Sequence, residues 1–225
     1  MAFEIAVFDA YGTLFDVEAA ARRAADSPGG AGLADTWEAV AGDWRRKQLE
    51  YSWLRAVSGD YTSFWQLTQD GLDWALARAG LADPELRETL LGLYWELETY
   101  PEVPTMLETL ADMGRPAAIL SNGSPDMLRA ACESAGISHL LADSLSADAV
   151  GTFKPARAVY DLVGHRFGTR PAEVLFVSSN GWDVAGAAAY GFTTAWVNRA
   201  GAPMDLLPGR PAHVLPDLSN LPELA

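Results

Sequence analysis

Five short apolar runs bounded by turn residues, Phe3–Phe8, Pro116–Leu120, Leu140–Leu145, Val174–Val177 and Thr193–Val197, constrain this chain more than any other feature. After residue 100 the intervals between them read mostly as helices, and strands alternating with helices are what a parallel sheet with helical crossovers requires. The expected fold class is α/β. Residues from about Val17 to Tyr100 break the alternation, being helical throughout, with long amphipathic stretches at Trp37–Val57, Ser63–Ala79 and Pro84–Glu98. This interval reads as a helical insertion. Its first long stretch carries Trp44, Leu49, Tyr51, Trp53 and Leu54, more aromatic surface than one buried stripe usually needs, so part of it is expected to meet a partner subunit. Pro101, Pro104 and the Gly114-Arg115-Pro116 turn mark the return to the core, and Gly136 and Gly191 stand where helices stop before a strand. The proline-rich tail beyond Asn198 reads as irregular chain with a short strand at His213–Leu215.

A chain of 225 residues, 49% hydrophobic, buries one sizeable core, or a core with a smaller inserted domain. Its 16 Lys+Arg against 30 Asp+Glu leave a net charge of −14, which opposes a nucleic-acid partner. The same field repels an anionic substrate only mildly, since one cation at about 4 Å is worth roughly 1 to 4 kcal/mol. The single cysteine, Cys132, excludes an internal disulfide, and no signal-peptide pattern opens the sequence, so the cytoplasm is the expected location. No apolar run approaches the roughly 20 residues that span a membrane. Cys132 sits in a helical pattern with no histidine nearby and is expected to be buried, not nucleophilic.

Reactive side chains concentrate in four segments, each at or near the end of an expected strand. They are Asp9–Thr13, Ser121-Asn122-Gly123-Ser124, Lys154-Pro155 and Ser178-Ser179-Asn180-Gly181-Trp182-Asp183. The carboxyl ends of parallel strands share one edge, so these segments should converge. Asp9, delivered by the first strand into a tight turn, is the expected nucleophile. Two residues later stands Tyr11, a neutral side chain that is no acid for a leaving group that must be protonated. A halide leaves without a proton. Ser121–Ser124 followed by Pro125 reads as a turn and helix start, with Ser124 as N-cap and Pro125 at the first helical position. The amides of Asn122 and Gly123 are also placed to hold a carboxylate. Lys154 supplies the expected counter-charge for Asp9 and the substrate anion. Ser178 is neutral, leaving Asp9 and Asp183 as the carboxylates for a hard cation that prefers several oxygens, so no metal and no cofactor are expected.

Asp-x-Tyr-Gly-Thr-Leu-Phe-Asp from Asp9, Trp44–Tyr51, Leu120–Ser124, Lys154-Pro155 and Ser178–Asp183 together resemble the (S)-2-haloacid dehalogenases of the haloacid dehalogenase superfamily. The resemblance spans nearly the whole chain. It implies a Rossmann-like core of residues 1–16 and 100–225 with helices on both faces, a helical cap of residues 17–99, and a homodimer formed through the cap. It further implies hydrolysis of short (S)-2-haloalkanoic acids to (R)-2-hydroxyalkanoic acids. In that scheme Asp9 attacks C2 to form an aspartyl ester, and Asp183, held by Ser178 and Asn180, activates the water that cleaves it. Thr13 positions Asp9. Arg45, Asn122 and the edge of Trp182 or Tyr11 surround the halide, while Leu49, Phe64 and Trp182 wall the alkyl group. Ala10 and Ser121 are placed beside the substrate, and Tyr160 hydrogen-bonds near the lysine or the nucleophile. Two departures stand out: Arg46 where Gln is common, an extra cation expected to alter substrate affinity or halide release, and Ala10 where Leu is common. A magnesium-dependent phosphatase is the enzyme alternative, disfavoured by Tyr11 and Ser178. A non-catalytic dimeric binding module would have no need of Asp9, Arg45, Lys154 and Asp183 together. His139, His165 and His213 fall in no motif.

Overall fold

The computed structural model describes residues 3–27 and 32–225. Residues 1–2, in the expected core, and 28–31, in the expected insertion, lie outside the described residues. Strand β1 (Ile5–Phe8) is followed by four helices, α1 (Ala19–Ala25), α2 (Trp37–Ser58), α3 (Phe64–Ala79) and α4 (Pro84–Trp95). The alternation then resumes with α5 (Val103–Asp112), β2 (Ala117–Ser121), α6 (Pro125–Ser134), β3 (Asp143–Ser146) and α7 (Arg157–Phe167). It continues through β4 (Val174–Ser178), α8 (Gly181–Tyr190), β5 (Thr193–Val197) and β6 (His213–Leu215). One sheet results, in the order β3-β2-β1-β4-β5-β6, with every pairing parallel. Strand succession reverses between β1 and β4, and such a switch point opens a crevice beyond the carboxyl ends of the two strands. Asp9 follows β1 and Ser178 ends β4.

Alternation along the strands sorts their side chains into two layers. Ala6 and Phe8 of β1 join the apolar cluster that α5 and α6 complete with Val103, Leu107, Leu110 and Leu128. Ile5 and Val7 join the opposite cluster, built with Val159, Tyr160 and Val163 of α7 and Ala187 of α8. Helices therefore cover both faces. Full burial of a Val, Leu or Phe contributes roughly 1.5–3 kcal/mol, so these layers hold the strand ends in fixed register.

Two boundaries differ from the sequence reading. The third apolar run opens as a 3-10 turn at Ser138–Leu140, and β3 begins only at Asp143, where pairing with Ala118 becomes available. Helix α4 stops at Trp95, short of Glu98, because the following chain is needed in extended form: the Asp16 amide donates to the Glu98 carbonyl at 2.9 Å, and the Tyr100 amide to Leu14 at 3.0 Å. These two crossing segments, bridged between Phe15 and Thr99, carry the chain out to the inserted helices and back. The short strand expected at His213–Leu215 is present as β6.

The inserted helices share the first apolar cluster, to which they contribute Trp44, Phe64, Leu67, Leu72, Leu90 and Tyr94. Helix α2 buries the stripe Val40, Ala41, Trp44, Gln48 and Ser52. Its hold on α3 and α4 is polar as well as apolar. The Trp44 indole N–H donates to the Thr68 carbonyl at 2.7 Å, and the Gln48 side-chain amide to the Thr68 hydroxyl at 3.0 Å and to Tyr94 at 3.1 Å. Arg45 and Leu49 lie one step further round the helix, at i and i+4, and so share a neighbouring face. Among the described residues no helix is long and apolar enough to cross a membrane.

Candidate active site

Beyond β1 the chain turns sharply, and the Ala10 carbonyl accepts the amides of Thr13, Leu14 and Phe15. Gly12 sits inside this turn at φ +88°, a left-handed conformation that glycine adopts without steric cost, and an added Cβ would lie 3.2 Å from the Ser179 hydroxyl. The turn brings Thr13 back over Asp9. Three donors then converge on Asp9 Oδ2: the Thr13 hydroxyl at 3.1 Å, the Asn180 side-chain amide at 2.9 Å and the Ser178 hydroxyl at 3.4 Å. Oδ1 accepts from Lys154 Nζ at 3.0 Å. The two oxygens of one carboxylate thus have different surroundings.

Lys154 is buried and its ammonium also donates to Asp183 Oδ2 at 2.9 Å. Burial alone would lower the pKa of this lysine, but the facing charges of Asp183 and Asp9 outweigh it and hold the pKa above the ordinary value. Burial pushes the Asp183 carboxyl up to about 6 against the pull of Lys154. Its Oδ1 accepts from the Tyr160 hydroxyl at 2.8 Å. Burial, and then the charge of Asp183, drive the Tyr160 hydroxyl far above its ordinary range, so it remains a donor.

The expectation that Ser178 and Asn180 hold Asp183 is corrected: both side chains reach Asp9 instead. The cause is positional. Asp183 stands in the first turn of α8 and turns inward to Lys154 and to Tyr160 of α7, whereas Ser178 and Asn180 stand at the end of β4, beside β1.

A small cavity of about 10 Å³ opens at Asp9. The sheet edge lines it with Tyr11, Ser121, Asn122 and Trp182, and the inserted helices line it with Arg45, Leu49 and Phe64. Arg45 is anchored by a bond from Nη2 to the Tyr11 carbonyl at 3.1 Å. The Tyr11 ring stacks on Tyr94 at 5.7 Å, and burial, then the neighbouring Tyr94, raise its hydroxyl pKa well above the ordinary value. It stays protonated and is a poor proton donor to a leaving group. Asn122 Oδ1 accepts the Lys154 amide at 2.8 Å, which orients its nitrogen end toward other partners.

Several expectations fail around this cavity. The Gly123 amide already donates to Ser121 Oγ at 3.1 Å, so it is not available to hold a carboxylate. Gly123 serves close packing instead, since an added Cβ would meet the Tyr11 ring at 2.6 Å. Ser124 occupies the N-cap position, but its hydroxyl accepts the Trp65 amide at 3.3 Å from α3 and makes no cap bond to its own helix. Ala10 is wholly buried in the core and does not line the cavity. Arg46 faces away from it, paired with Asp43 and Glu50 and lying 4.9 Å over Trp74.

The residues do not fit a divalent cation. Asp9 and Asp183 are joined by the Lys154 ammonium, which sits at hydrogen-bond distance from both. A dication would meet that charge before it met a second carboxylate, and Ser178 and Tyr11 offer only neutral oxygens.

Sequence reasoning left several contributors unassigned. Ser179, hidden between the two residues that reach Asp9, donates its amide to the Thr13 hydroxyl at 2.8 Å. Gln48, a polar residue four positions from Trp44 on a buried face, carried a readable signal. Tyr94, Phe153, Arg199 and the Tyr61–Asp148 hydrogen bond, all made across long stretches of sequence, carried none.

Lys154 provides the first test. Lys154→Met leaves two buried carboxylates without a cation and should cost about 3–5 kcal/mol. A carboxyl whose folded pKa is raised favours folding only when protonated, and Asp183, lifted to about 6 even under the pull of Lys154, takes up its proton at higher pH once that pull is gone, so the deficit against wild type should be largest near pH 8 and smaller near pH 6. Melting temperatures at the two pH values measure this, and a deficit independent of pH would contradict it.

The profile of the haloacid dehalogenase-like hydrolase family matches residues 3–191. The chain is 42% identical over 219 residues to (S)-2-haloacid dehalogenase 1 of Pseudomonas sp. (strain CBS-3), covering 97% of this chain and 94% of the relative. Over 216 residues it is 42% identical to (S)-2-haloacid dehalogenase 4A of Burkholderia cepacia, covering 96% and 91%. Among solved structures, a dehalogenase with an intermediate complex superposes with a TM-score of 0.93 at 41% identity, covering 99% of this chain and 97% of the other. L-2-haloacid dehalogenase from Xanthobacter autotrophicus with chloropropionic acid covalently bound superposes with a TM-score of 0.88 at 38% identity, covering 99% and 98%. The chain belongs to the haloacid dehalogenase-like hydrolase family.

Proposed function

We propose that this chain hydrolyses short (S)-2-haloalkanoic acids to (R)-2-hydroxyalkanoic acids through an ester on Asp9, without a metal ion. The observation that carries this reading is the asymmetry of the Asp9 carboxylate. Oδ2 is saturated by three donors, whereas Oδ1 meets only the Lys154 ammonium and retains a lone pair for attack. Oδ1 strikes C2 from the side opposite the halogen. The new C–O bond forms as the carbon–halogen bond breaks, the halide departs with the bonding pair, and the stereocentre inverts. Arg45 and Asn122 receive the anion, stabilising charge that develops only as the bond stretches. The Ser121 hydroxyl, whose oxygen already accepts from Gly123, keeps its proton for the substrate carboxylate.

Water then attacks the Asp9 carbonyl carbon. Negative charge gathers on Oδ2, where Thr13, Ser178 and Asn180 already point their donors. Asp183 takes the water proton. It shares the Lys154 ammonium with Asp9, which keeps it beside the ester, and a carboxyl lifted to about 6 is a competent base at neutral pH. Cleavage of the bond from Cγ to Oδ1 leaves the bonding pair on the departing oxygen, which takes the proton back from Asp183; the second water proton passes to solvent, the hydroxy acid departs and Asp9 is restored as a carboxylate.

Residues 17–99 act as a cap over this chemistry. A cavity of about 10 Å³ holds roughly one water, so substrate enters when the inserted helices lift from the sheet edge. Among the contacts that hold the closed form are Arg45 to Tyr11, Trp65 to Ser124, Tyr61 to Asp148, the edge-on pair of Trp53 and Trp182 at 5.3 Å, and the packing of Tyr11 on Phe64 and Tyr94. The same α2 helix leaves Leu54 59% and Val57 89% exposed beside Trp53, an apolar face suited to a second copy of the chain.

Purified protein should release chloride from (S)-2-chloropropionate in the presence of a chelator, and Asp9→Ala should abolish the release. Full activity in that variant, or activity that returns only with magnesium, would contradict the mechanism. Asp183→Asn should still form the ester but fail to hydrolyse it, giving one equivalent of chloride per site and a mass increase on the peptide containing Asp9. In the wild type the hydrolytic step should weaken as pH falls through about 6, where Asp183 becomes protonated. Sedimentation should give twice the mass of one chain, falling to a single-chain mass in a Leu54→Glu, Val57→Glu variant; a monomeric wild type would remove the cap dimer.

A further inference from the structure

Arg199 lies just beyond β5, outside the cavity, yet it meets both segments that cross to the inserted helices. Its Nη2 donates to the Thr13 carbonyl at 3.2 Å on the outgoing segment. Its Nη1 pairs with Glu102 at 2.6 Å on the returning one, and its guanidinium lies 3.8 Å over the Tyr100 ring. Glu102 is itself located by the Leu218 amide at 3.3 Å. Thr13 is consequently held from two sides, its hydroxyl by the Ser179 amide and its carbonyl by Arg199, and that hydroxyl donates to Asp9. A planar guanidinium holds its two donors in a fixed fork while its face lies flat on the ring, a geometry that the tetrahedral ammonium of a lysine does not reproduce.

We infer that Arg199 is a positioning residue for the reaction, setting the place of Thr13 and through it the aim of Asp9. The inference rests on the reading of Asp9 as the nucleophile. A plain structural staple between chain segments would make the same contacts, and the two differ in what they change. A staple alters stability. A positioning residue alters turnover through Thr13 while leaving substrate binding nearly intact, because small misplacements of a reacting group cost rate steeply.

Kinetics of chloride release from (S)-2-chloropropionate and melting temperatures separate them. Arg199→Ala should lower kcat about tenfold with KM within about twofold. In a Thr13→Val background the same substitution should cost less than about twofold, since the link it acts through is already cut. Arg199→Lys, which keeps the charge opposite Glu102, should recover most of the melting temperature but not kcat, and it carries the test should the alanine variant fold poorly. A kcat loss undiminished in the Thr13→Val background, a loss confined to KM, or recovery of kcat in step with stability in Arg199→Lys would overturn the inference. A wild-type protein that releases no halide would instead overturn the dehalogenase reading beneath it.

Discussion

One buried ammonium organises the site. Lys154 lies between the carboxylates of Asp9 and Asp183, and without it two acidic groups would face each other inside the protein, where unpaired charge is costly. With Arg45 at the cavity wall, two cations balance two anions before substrate arrives. An anionic haloacid therefore enters a locally neutral site in a chain that is strongly acidic overall. The same ammonium occupies the ground between carboxylates that a divalent cation would need, so one side chain sets both the electrostatics and the proposed metal-free character of the chemistry. It also divides the Asp9 oxygens: one accepts from Lys154, and the other is fixed by hydroxyl and amide donors.

The fold delivers these groups from distant parts of the sequence because parallel strands end on a common edge. Asp9, Ser121 and Ser178 come from β1, β2 and β4, and the switch in strand order opens the crevice where they meet. Arg45 arrives differently. It rides on α2, whose neighbouring stripe of Trp44 and Gln48 is locked to α3 by hydrogen bonds to Thr68, so the guanidinium is aimed by packing rather than by a loop. The inserted helices share one apolar cluster with the sheet face beneath them.

Much of this was legible in the sequence, for identifiable reasons. Strands buried on both faces appear as uninterrupted apolar runs, so β1, β2, β4 and β5 were readable, as was the short β6. β3 was misplaced by its leading leucines, which pack from a turn before the strand begins. The convergence of Asp9, Lys154 and Asp183 followed from the strand-end rule and is observed. What strand ends cannot reveal is which way a side chain turns once there: Ser178 and Asn180 serve Asp9, Tyr160 serves Asp183, and the Gly123 amide closes on Ser121. Arg46 shows the same limit on a helix, where one position of rotation separates a residue in the cavity from one at the surface. Arg199 left no local trace because its partners, Thr13 and Glu102, come together only in the folded chain.

The central claim is that the oxygen delivered to carbon comes from Asp9 and is replaced from water. A single turnover in heavy-oxygen water, with enzyme in excess over (S)-2-chloropropionate, tests this directly by mass spectrometry of product and digested protein. The account predicts heavy oxygen in the peptide bearing Asp9 and ordinary oxygen in the hydroxy acid. Heavy oxygen in the product of that first turnover, with Asp9 unlabelled, would mean that water attacks the substrate itself and would contradict it.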